Sequence, residues 1–564
     1  MHITQIQKNL KLAIIHALKN IAEKTEAGIM PAPIKIELEI PRDYKHGDLT
    51  TNIAMRLAKS FSVNSVKLAG LVKDELELAF GATRLSGLID RIEVSPPGFI
   101  NFWFSKNRLH DVLGEIREEA GNFGKNPLGK GEKVNIEFVS ANPTGPLTIA
   151  HARQAAVGDA LGRILEFSGY KVCREYFIND VGTQIELLGK SIYARYASLL
   201  GRDPEFPEDG YHGEYIKDIA KAFKEIYGNK FLEENSKNTQ FIAKFGVKSM
   251  LKEIRADLEA FRVSFDRWSS QQKISAEKIK NALNKLEKKG YVYKKDGAVW
   301  FKSTAFGDDK DRVVVKKDGS YTYLAPDIAY HLDKFKRKFK KLIDIWGPDH
   351  HGYIPRLVAS MEAFGHKKES ISILIVQLAT LFRGGVALSM STRKGEFITL
   401  REVIKEVGCD VAKFFFLMRK LDSHLDFDLE VAKKSSHDNP VYYIQYAHAR
   451  IASILDFSKS LKGGLKAVRY DAGLLDQPEE LLILRMLSQF PLAVEASAKL
   501  LEPYRMVSFL NDFAKAFHSF YTKYRVVRDD DLPRTKARLV LVNGVKTVLA
   551  NGLGLLGISF PDRM

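Results

Sequence analysis

Cysteine is nearly absent: Cys173 and Cys409 are the 2 in a chain of 564 residues, and they form no Cys-x-x-Cys pair. That excludes a disulfide framework and gives a thiolate zinc site no support. Long hydrophobic runs are also missing. The longest apolar stretch, Ile371 to Leu381, is broken by Ser372, Gln377 and Thr380 and is too short to span a bilayer. The opening stretch, MHITQIQKNLKLAII, has no long apolar region followed by small residues. No secretory signal is read there, and a cytoplasmic protein without membrane contact is expected. There is no internal repeat, no low-complexity segment and no dominant block of like charge.

What is present is length and positive charge. A chain of 564 residues is too long for one core, so three or more domains are expected. The formal charge of +17 points to a polyanionic partner or to a surface kept soluble by its charge. Lys-rich pieces recur at Lys278 to Lys295, Lys334 to Lys341 and Arg525 to Arg538, which suits a long ligand touching several domains.

Periodicity divides the chain. Residues 1–110 read as an α/β module, with a helix at Ile3 to Ile21, a strand at Ile34 to Ile40, a helix at Thr51 to Phe61 and a strand near Ile100 to Phe104. The Gly121 to Gly131 segment reads as a linker. A parallel α/β domain over 125–400 starts with a strand at Lys133. A charged helical insertion over about 187–299 interrupts it, and it resumes with Val313 to Val315 and Lys341 to Trp346. A short connector over 401–440 leads to a helix bundle over 441–564. The fold class is multidomain α/β, with a Rossmann-type sheet and an all-α C-terminal bundle.

The stretch from Glu137 to Ile185 carries the most chemistry. Val134 to Val139 alternates as a strand, Asn142 to Pro146 is a Pro/Gly loop, and Ala152 to Phe167 has helical spacing. Strand, turn and helix put backbone N–H groups and a positive dipole end where phosphates can sit. His151 lies in the first turn and can join them, or it can be structural; Thr148 is a plausible N-cap. The run resembles the first nucleotide motif of class I aminoacyl-tRNA synthetases, in its arginyl-tRNA synthetase version. The family's His-Ile-Gly-His corresponds to Thr148-Ile149-Ala150-His151, so Thr148 and Ala150 depart from it. Ser389-Met390-Ser391-Thr392-Arg393-Lys394-Gly395 resembles the second motif, with Ser389 in place of the first Lys.

The resemblance implies site residues. His151, Thr148, Arg393 and Lys394 would be catalytic. Ala150, His151, Gly347, Asp349, His350, Met390 and Ser391 would contact ATP, which arrives as substrate with Mg²⁺. Tyr321 to His331 is similar to the arginyl segment in which the equivalents of Tyr323 and Asp327 hold the substrate guanidinium; by itself an acid there complements a helix dipole. Glu137, Ser140, Asn142 and His151 would hold the amino and carboxylate ends of arginine. Asn179 to Gln184 resembles the family's active-site floor. Adjacent His350 and His351 point apart in regular backbone, so no metal is expected.

The likeness extends to RNA binding. Gly47 to Ala54 and Pro96 to Phe102 resemble the family's N-terminal domain, in which Asn101 and Phe104 would read a base at the tRNA elbow; the alternative is a strand core. Asp438 to Arg450 and the C-terminal Leu555 to Met564 resemble its anticodon-binding domain, with Tyr442, Tyr446, Phe520, Tyr521 and Met564 as stacking candidates or core. The implied activity is ATP-dependent attachment of L-arginine to tRNA(Arg), with activation needing bound tRNA, by a monomer. The alternative is a catalytically silent tRNA-binding relative, given Thr148, Ala150 and Ser389.

Overall fold

Val134 and Ile136 alternate with Asn135 and Glu137 because the strand they form has one apolar face and one polar face, and both are buried. That strand, β4, is central in the molecule's main sheet. The computed structural model describes every residue except 1, 26–33, 42, 81–84, 389–396, 435, 437 and 459–468. The second phosphate motif, including Ser389, Met390, Ser391, Arg393 and Lys394, therefore lies outside the described residues.

The N-terminal part runs α1 (Ile3–Thr25), β1 (Leu49–Thr51), α2 (Ile53–Leu57), α3 (Ser65–Phe80), β2 (Ile89–Ser95), β3 (Phe99–Phe104) and α4 (Lys106–Glu119). β1, β3 and β2 form an antiparallel sheet in that order. The strand expected at Ile34 to Ile40 is not formed. Glu39 alone bridges Thr50, although Ile36 and Leu38 are buried in alternation. Alternation reports a buried face, but a strand also needs a ladder partner, and β1 offers only three residues.

The middle of the chain runs β4 (Lys133–Glu137), α5 (Ile149–Phe167), β5 (Lys171–Ile178), α6 (Thr183–Ser198), α7 (Glu214–Tyr227), α8 (Ser236–Ala260) and β6 (Arg267–Ser270). It continues with α9 (Ala276–Lys288), β7 (Val292–Lys295), β8 (Ala298–Phe301), β9 (Arg312–Val315), α10 (Leu324–Lys336), β10 (Lys341–Trp346), α11 (Ile354–Phe364), β11 (Ile371–Ile375), β12 (Ala379–Arg383) and β13 (Val386–Ala387). The main sheet is parallel, in the order β11-β10-β4-β5-β6. The chain leaves β4 toward β5 on one side and returns to β10 on the other. A crevice therefore opens at the carboxyl ends of β4 and β10, where such sheets bind ligands.

Two expectations change here. The stretch 187–299 is not one insertion: its Arg267–Ser270 is the edge strand of the main sheet. Val313 to Val315 does not resume that sheet, because β9 pairs antiparallel with β8 in a separate sheet ordered β7-β8-β9. Four residues of Arg-Trp-Ser-Ser carry no apolar period, whereas three valines read as strand in any sheet.

The last part runs α12 (Leu400–Val407), α13 (Cys409–Leu417), β14 (Leu425–Asp428), α14 (Leu429–Lys433), α15 (Pro440–Ser458), α16 (Pro478–Leu500), α17 (Tyr504–Lys523) and α18 (Leu532–Leu555). β14 pairs in parallel with β12, which joins the connector to the catalytic part. By length and composition α16 could cross a bilayer, but it packs against α17, α18, α4 and α1. The Gly121 to Gly131 segment is fastened rather than loose. Phe123 is buried, and Asn551 Nδ2 on α18 donates to the Ala120 and Phe123 carbonyls at 3.0 and 3.1 Å.

The Gly47-Asp48 motif also serves as a junction. Asp48 is fully buried, accepts the Phe104 N–H at 2.7 Å and sits 3.2 Å from Arg485 on α16. Burial pushes its carboxyl up to about 6, against the pull of Phe104 and Arg485. The folded state thus holds a proton there that the unfolded state has released, and this contribution to stability is lost as pH rises from 3.8 through about 6. Asp48→Asn gains stability relative to the parent across that window in urea unfolding, with the gain levelling off above it; a pH-independent difference contradicts this placement.

Candidate active site

The crevice is built on three carboxylates in one row. Glu137 on β4 is paired in register with Glu175 on β5 and with Asp344 on β10. All three are buried. Phe138, pointing the other way, packs on α5 at Gly158, where an added Cβ would lie 2.2 Å from the Phe138 ring. Gly158 thus lets α5 approach the sheet closely, while the Glu137 face is covered by α10.

α10 supplies the counterions. Asp327, His331 and Lys334 recur at i, i+4 and i+7 and so share one face. Lys334 Nζ lies 2.7 Å from Glu137 Oε2 and 2.8 Å from Asp344 Oδ1. His331 points Nε2 at Asp344 Oδ2 and Nδ1 at the Asp327 carbonyl, each at 2.8 Å. Both ring nitrogens face acceptors, so the ring is held as an imidazolium. Burial opposes that charge, but Asp344 raises the imidazole above its usual range. Arg337 Nη1 reaches Glu175 Oε2 at 2.8 Å. Burial raises Glu175, yet Arg337 and Lys334 hold it below the usual carboxylate range. Burial keeps Glu137 above that range despite Lys334.

The loop after β4 is strained. Val139 and Ser140 have φ of 67° and 39°, a conformation that costs about 1–3 kcal/mol per non-glycine residue. Contacts hold it in place: Ser140 Oγ accepts the Phe177 N–H at 3.0 Å and donates to Glu137 Oε1 at 3.2 Å. Tyr176 OH donates to the Ala141 carbonyl at 2.9 Å, and Asn142 Nδ2 donates to Gln184 Oε1 at 2.7 Å. Tyr215 on α7 donates to the Thr144 carbonyl at 2.8 Å.

At the start of α5, Thr148 is the N-cap and His151 the third helical residue. His151 Nδ1 accepts the Thr148 N–H at 3.1 Å and lies 3.2 Å from its hydroxyl. The remaining ring proton is therefore on Nε2. Burial pushes the imidazole down to about 4, so at neutral pH His151 is an uncharged N–H donor at a helix N-terminus. Ala150 is half-buried beside it. Thr148 also bridges Thr399, and the Leu400 N–H donates to the Leu147 carbonyl at 2.8 Å. The chain following the second motif is thus pinned to the first.

Asp327 stands in the first turn of α10. Burial raises its carboxyl above the usual range, and its phenol partner is Tyr353, whose hydroxyl donates to Oδ2 at 2.7 Å. Tyr323, read with Asp327 as a holder of the guanidinium, caps α10 and is 80% exposed. Gly347 ends β10, and an added Cβ there would lie 2.7 Å from Asp349 Oδ1. Asp349, His350 and His351 follow in an exposed turn, with His350 Nε2 3.4 Å from Asp349 Oδ2.

The RNA-contact residues divide. Asn101 and Phe104 are buried, and the Asn101 amide is satisfied by Thr50 at 2.7 Å and Ser95 at 2.9 Å. In this conformation neither offers a free edge or ring face to a base, which corrects that reading. Phe520 is likewise core. Tyr442 and Tyr446 are half-buried, with ring centroids 6.2 Å apart and planes at 10°. Arg450 lies over both Tyr446 and Tyr521, and Met564 is exposed.

Sequence reading gave no active-site role to Lys334, Asp344, Glu175, Arg337 or Tyr353, and it counted Lys334 with the charge facing a long ligand, whereas that side chain is fully buried. The available signal was a polar stripe at helical spacing on α10, a helix otherwise apolar enough to be core.

Comparison with known proteins agrees with this geometry. Residues 116–413 match the family model described as "tRNA synthetases class I (R), catalytic domain". Residues 8–104 match the "Arginyl tRNA synthetase N terminal domain", and residues 444–564 the "DALR anticodon binding domain". The arginine–tRNA ligase of Bacillus licheniformis is 44% identical, with 99% of this chain and 98% of that protein covered. That of Desulforamulus reducens is 43% identical over 100% of this chain and 99% of its own. The Thermus thermophilus arginyl-tRNA synthetase structure shares the fold, with a TM-score of 0.75 at 22% identity over 99% of this chain and 100% of that one. With a buried acid-lined crevice at the switch point and matches spanning all three parts of the chain, this protein belongs to the arginyl-tRNA synthetase family of class I.

Proposed function

We propose that the protein joins L-arginine to tRNA(Arg) with ATP. The arginine carboxylate attacks the α-phosphorus of ATP and pyrophosphate leaves. The terminal ribose hydroxyl of tRNA(Arg) then attacks the acyl carbon of the adenylate, giving arginyl-tRNA(Arg) and AMP. The observation that carries this reading is the acid row at the carboxyl ends of β4 and β10, with Asp327 bonded to Tyr353 on the α10 side and the neutral His151 donor at the start of α5, the helix that follows β4.

Asp327, oriented by Tyr353, takes the guanidinium, whose planar N–H fork suits a carboxylate. Tyr323, at the N-cap of the same helix, adds a second phenol to it. Glu137, Ser140 and Asn142 hold the amino and carboxylate ends. His151 and the Thr148 hydroxyl face the phosphates, and Ala150, Gly347, Asp349 and His350 border the nucleoside. Arg393 and Lys394, with Met390 and Ser391, supply the cations and contacts of the pyrophosphate end. ATP enters with Mg²⁺ as substrate.

Residues 1–110 and 441–564 flank the catalytic part over 125–400 and take the tRNA elbow and anticodon, with 401–440 beside the stem. Tyr442, Tyr446 and Met564 meet anticodon bases. The enzyme works as a cytoplasmic monomer and activates arginine only with tRNA bound. Full-length similarity to ligases supports this reading over a silent tRNA-binding relative.

Charging of unfractionated tRNA with each amino acid tests it: arginine alone is expected to become acid-precipitable, and charging with lysine or with nothing overturns it. His151→Ala should lower kcat by about 10²–10³, the usual loss for one preorganised donor. The imidazole is neutral above about 4, so the acid limb of the parent's kcat profile should not follow an ordinary histidine near 6.5. An acid limb at 6.5 that disappears in His151→Ala would contradict this assignment.

A further inference from the structure

A cavity of about 440 Å³ lies outside the site just described, between α8 and the loops that leave β5 and β6. One wall is Lys244, Lys248, Lys252 and Arg255 of α8; the other is Asp180 and Gln272. The three lysines recur every fourth residue, so they form a ridge with a spacing of about 6 Å along the helix. All three are exposed, and among the described residues none has a carboxylate partner. Two of the three acids of the same helix point elsewhere, Glu253 and Asp257 pairing with Arg401 on α12, and the third, Glu259, lies one turn beyond Arg255 at the end of the helix. Asp180 is occupied too, accepting from Ser270 Oγ at 2.6 Å and the Gln272 N–H at 3.1 Å. Arg255 is set in place over the Trp268 ring, 4.0 Å from its centroid.

Four cations face the single carboxylate of Asp180 across the cavity, and this net positive row adjoins the catalytic crevice. Ile185 lines the cavity, and its neighbour Gln184 holds Asn142 in the loop before α5. We infer that the groove holds the phosphodiester backbone of the 3′ strand of the tRNA acceptor arm, the strand whose end must reach that crevice. This rests on the tRNA reading above and gives α8 a role in it. A ridge spanning about 12 Å is longer than one phosphate and suits a chain of them. The apolar floor at Ile185 and Leu251 suits sugars better than a free inorganic anion.

The test compares the full-length parent with the triple variant Lys244→Gln, Lys248→Gln, Lys252→Gln. Dissociation constants are measured for a whole tRNA(Arg) transcript and for its anticodon stem-loop, between about 50 and 200 mM salt. Each lost phosphate contact flattens the log–log salt slope by about 0.7–0.9. For whole tRNA the slope should fall by about 2, with affinity reduced roughly tenfold or more at the low-salt end. Binding of the stem-loop should be unchanged, and Lys→Arg at the three positions should restore whole-tRNA binding. An unchanged slope for whole tRNA, equal losses for both RNAs, or displacement of the parent's tRNA by equimolar tripolyphosphate overturns the inference. If the parent binds no tRNA(Arg), the underlying reading fails with it; binding with an unchanged slope overturns this inference alone.

Discussion

Asp327→Asn is expected to raise the KM for arginine by about 100-fold, close to 2.7 kcal/mol of lost binding, and to leave the KM for ATP within about twofold. The half-buried carboxylate is held above its usual range in the free protein because desolvation disfavours its charge. A guanidinium arriving beside it stabilises that charge, and an amide carries none to pair with it. Asparagine keeps the shape and can still accept from Tyr353, so the fold should survive and the loss should fall on arginine. Steady-state kinetics with each substrate varied in turn separates the cases. An unchanged arginine KM would make Asp327 a helix-terminus acid only.

Lys334→Met has the largest expected effect on stability. Lys334 is fully buried between Glu137 and Asp344, and breaking one partner out of a buried ionic group costs about 3–5 kcal/mol because the others keep uncompensated charge. Urea unfolding should show that loss, together with a weakened response to arginine. Lys334→Met combined with Glu137→Gln should recover part of the stability, since it removes one orphaned carboxylate, but not the arginine response. Equal stability of parent and single variant would mean that Glu137 and Asp344 do not depend on this lysine.

These contrasts mark what was legible in the amino-acid order. β4, its Pro/Gly loop and α5 follow from local signals, an alternating run and a helical run with punctuation between them. His151 and Asp327 were found because their neighbours resemble a family. The phenol bonded to Asp327 in the free protein went unnoticed, because Tyr353 comes from a turn 26 residues away. β6 escaped because four residues with one aromatic among three polar ones gain strand character only by pairing with β5. Asn101 and Phe104 matched a motif, yet burial and satisfied hydrogen bonds decide whether an amide or a ring is available, and neither is written in residue type. The carboxylate row Glu175, Glu137 and Asp344 arises from register between strands far apart in the chain. No local pattern states it.

Amino-acid-dependent exchange of labelled pyrophosphate into ATP, with and without tRNA(Arg), probes the central claim most directly. Arginine should drive exchange, only with tRNA(Arg) present, and Asp327→Asn should demand far more arginine for the same rate. Exchange driven by another amino acid, or none with arginine and tRNA(Arg) while that tRNA still binds, would contradict the assignment of this crevice to arginine activation.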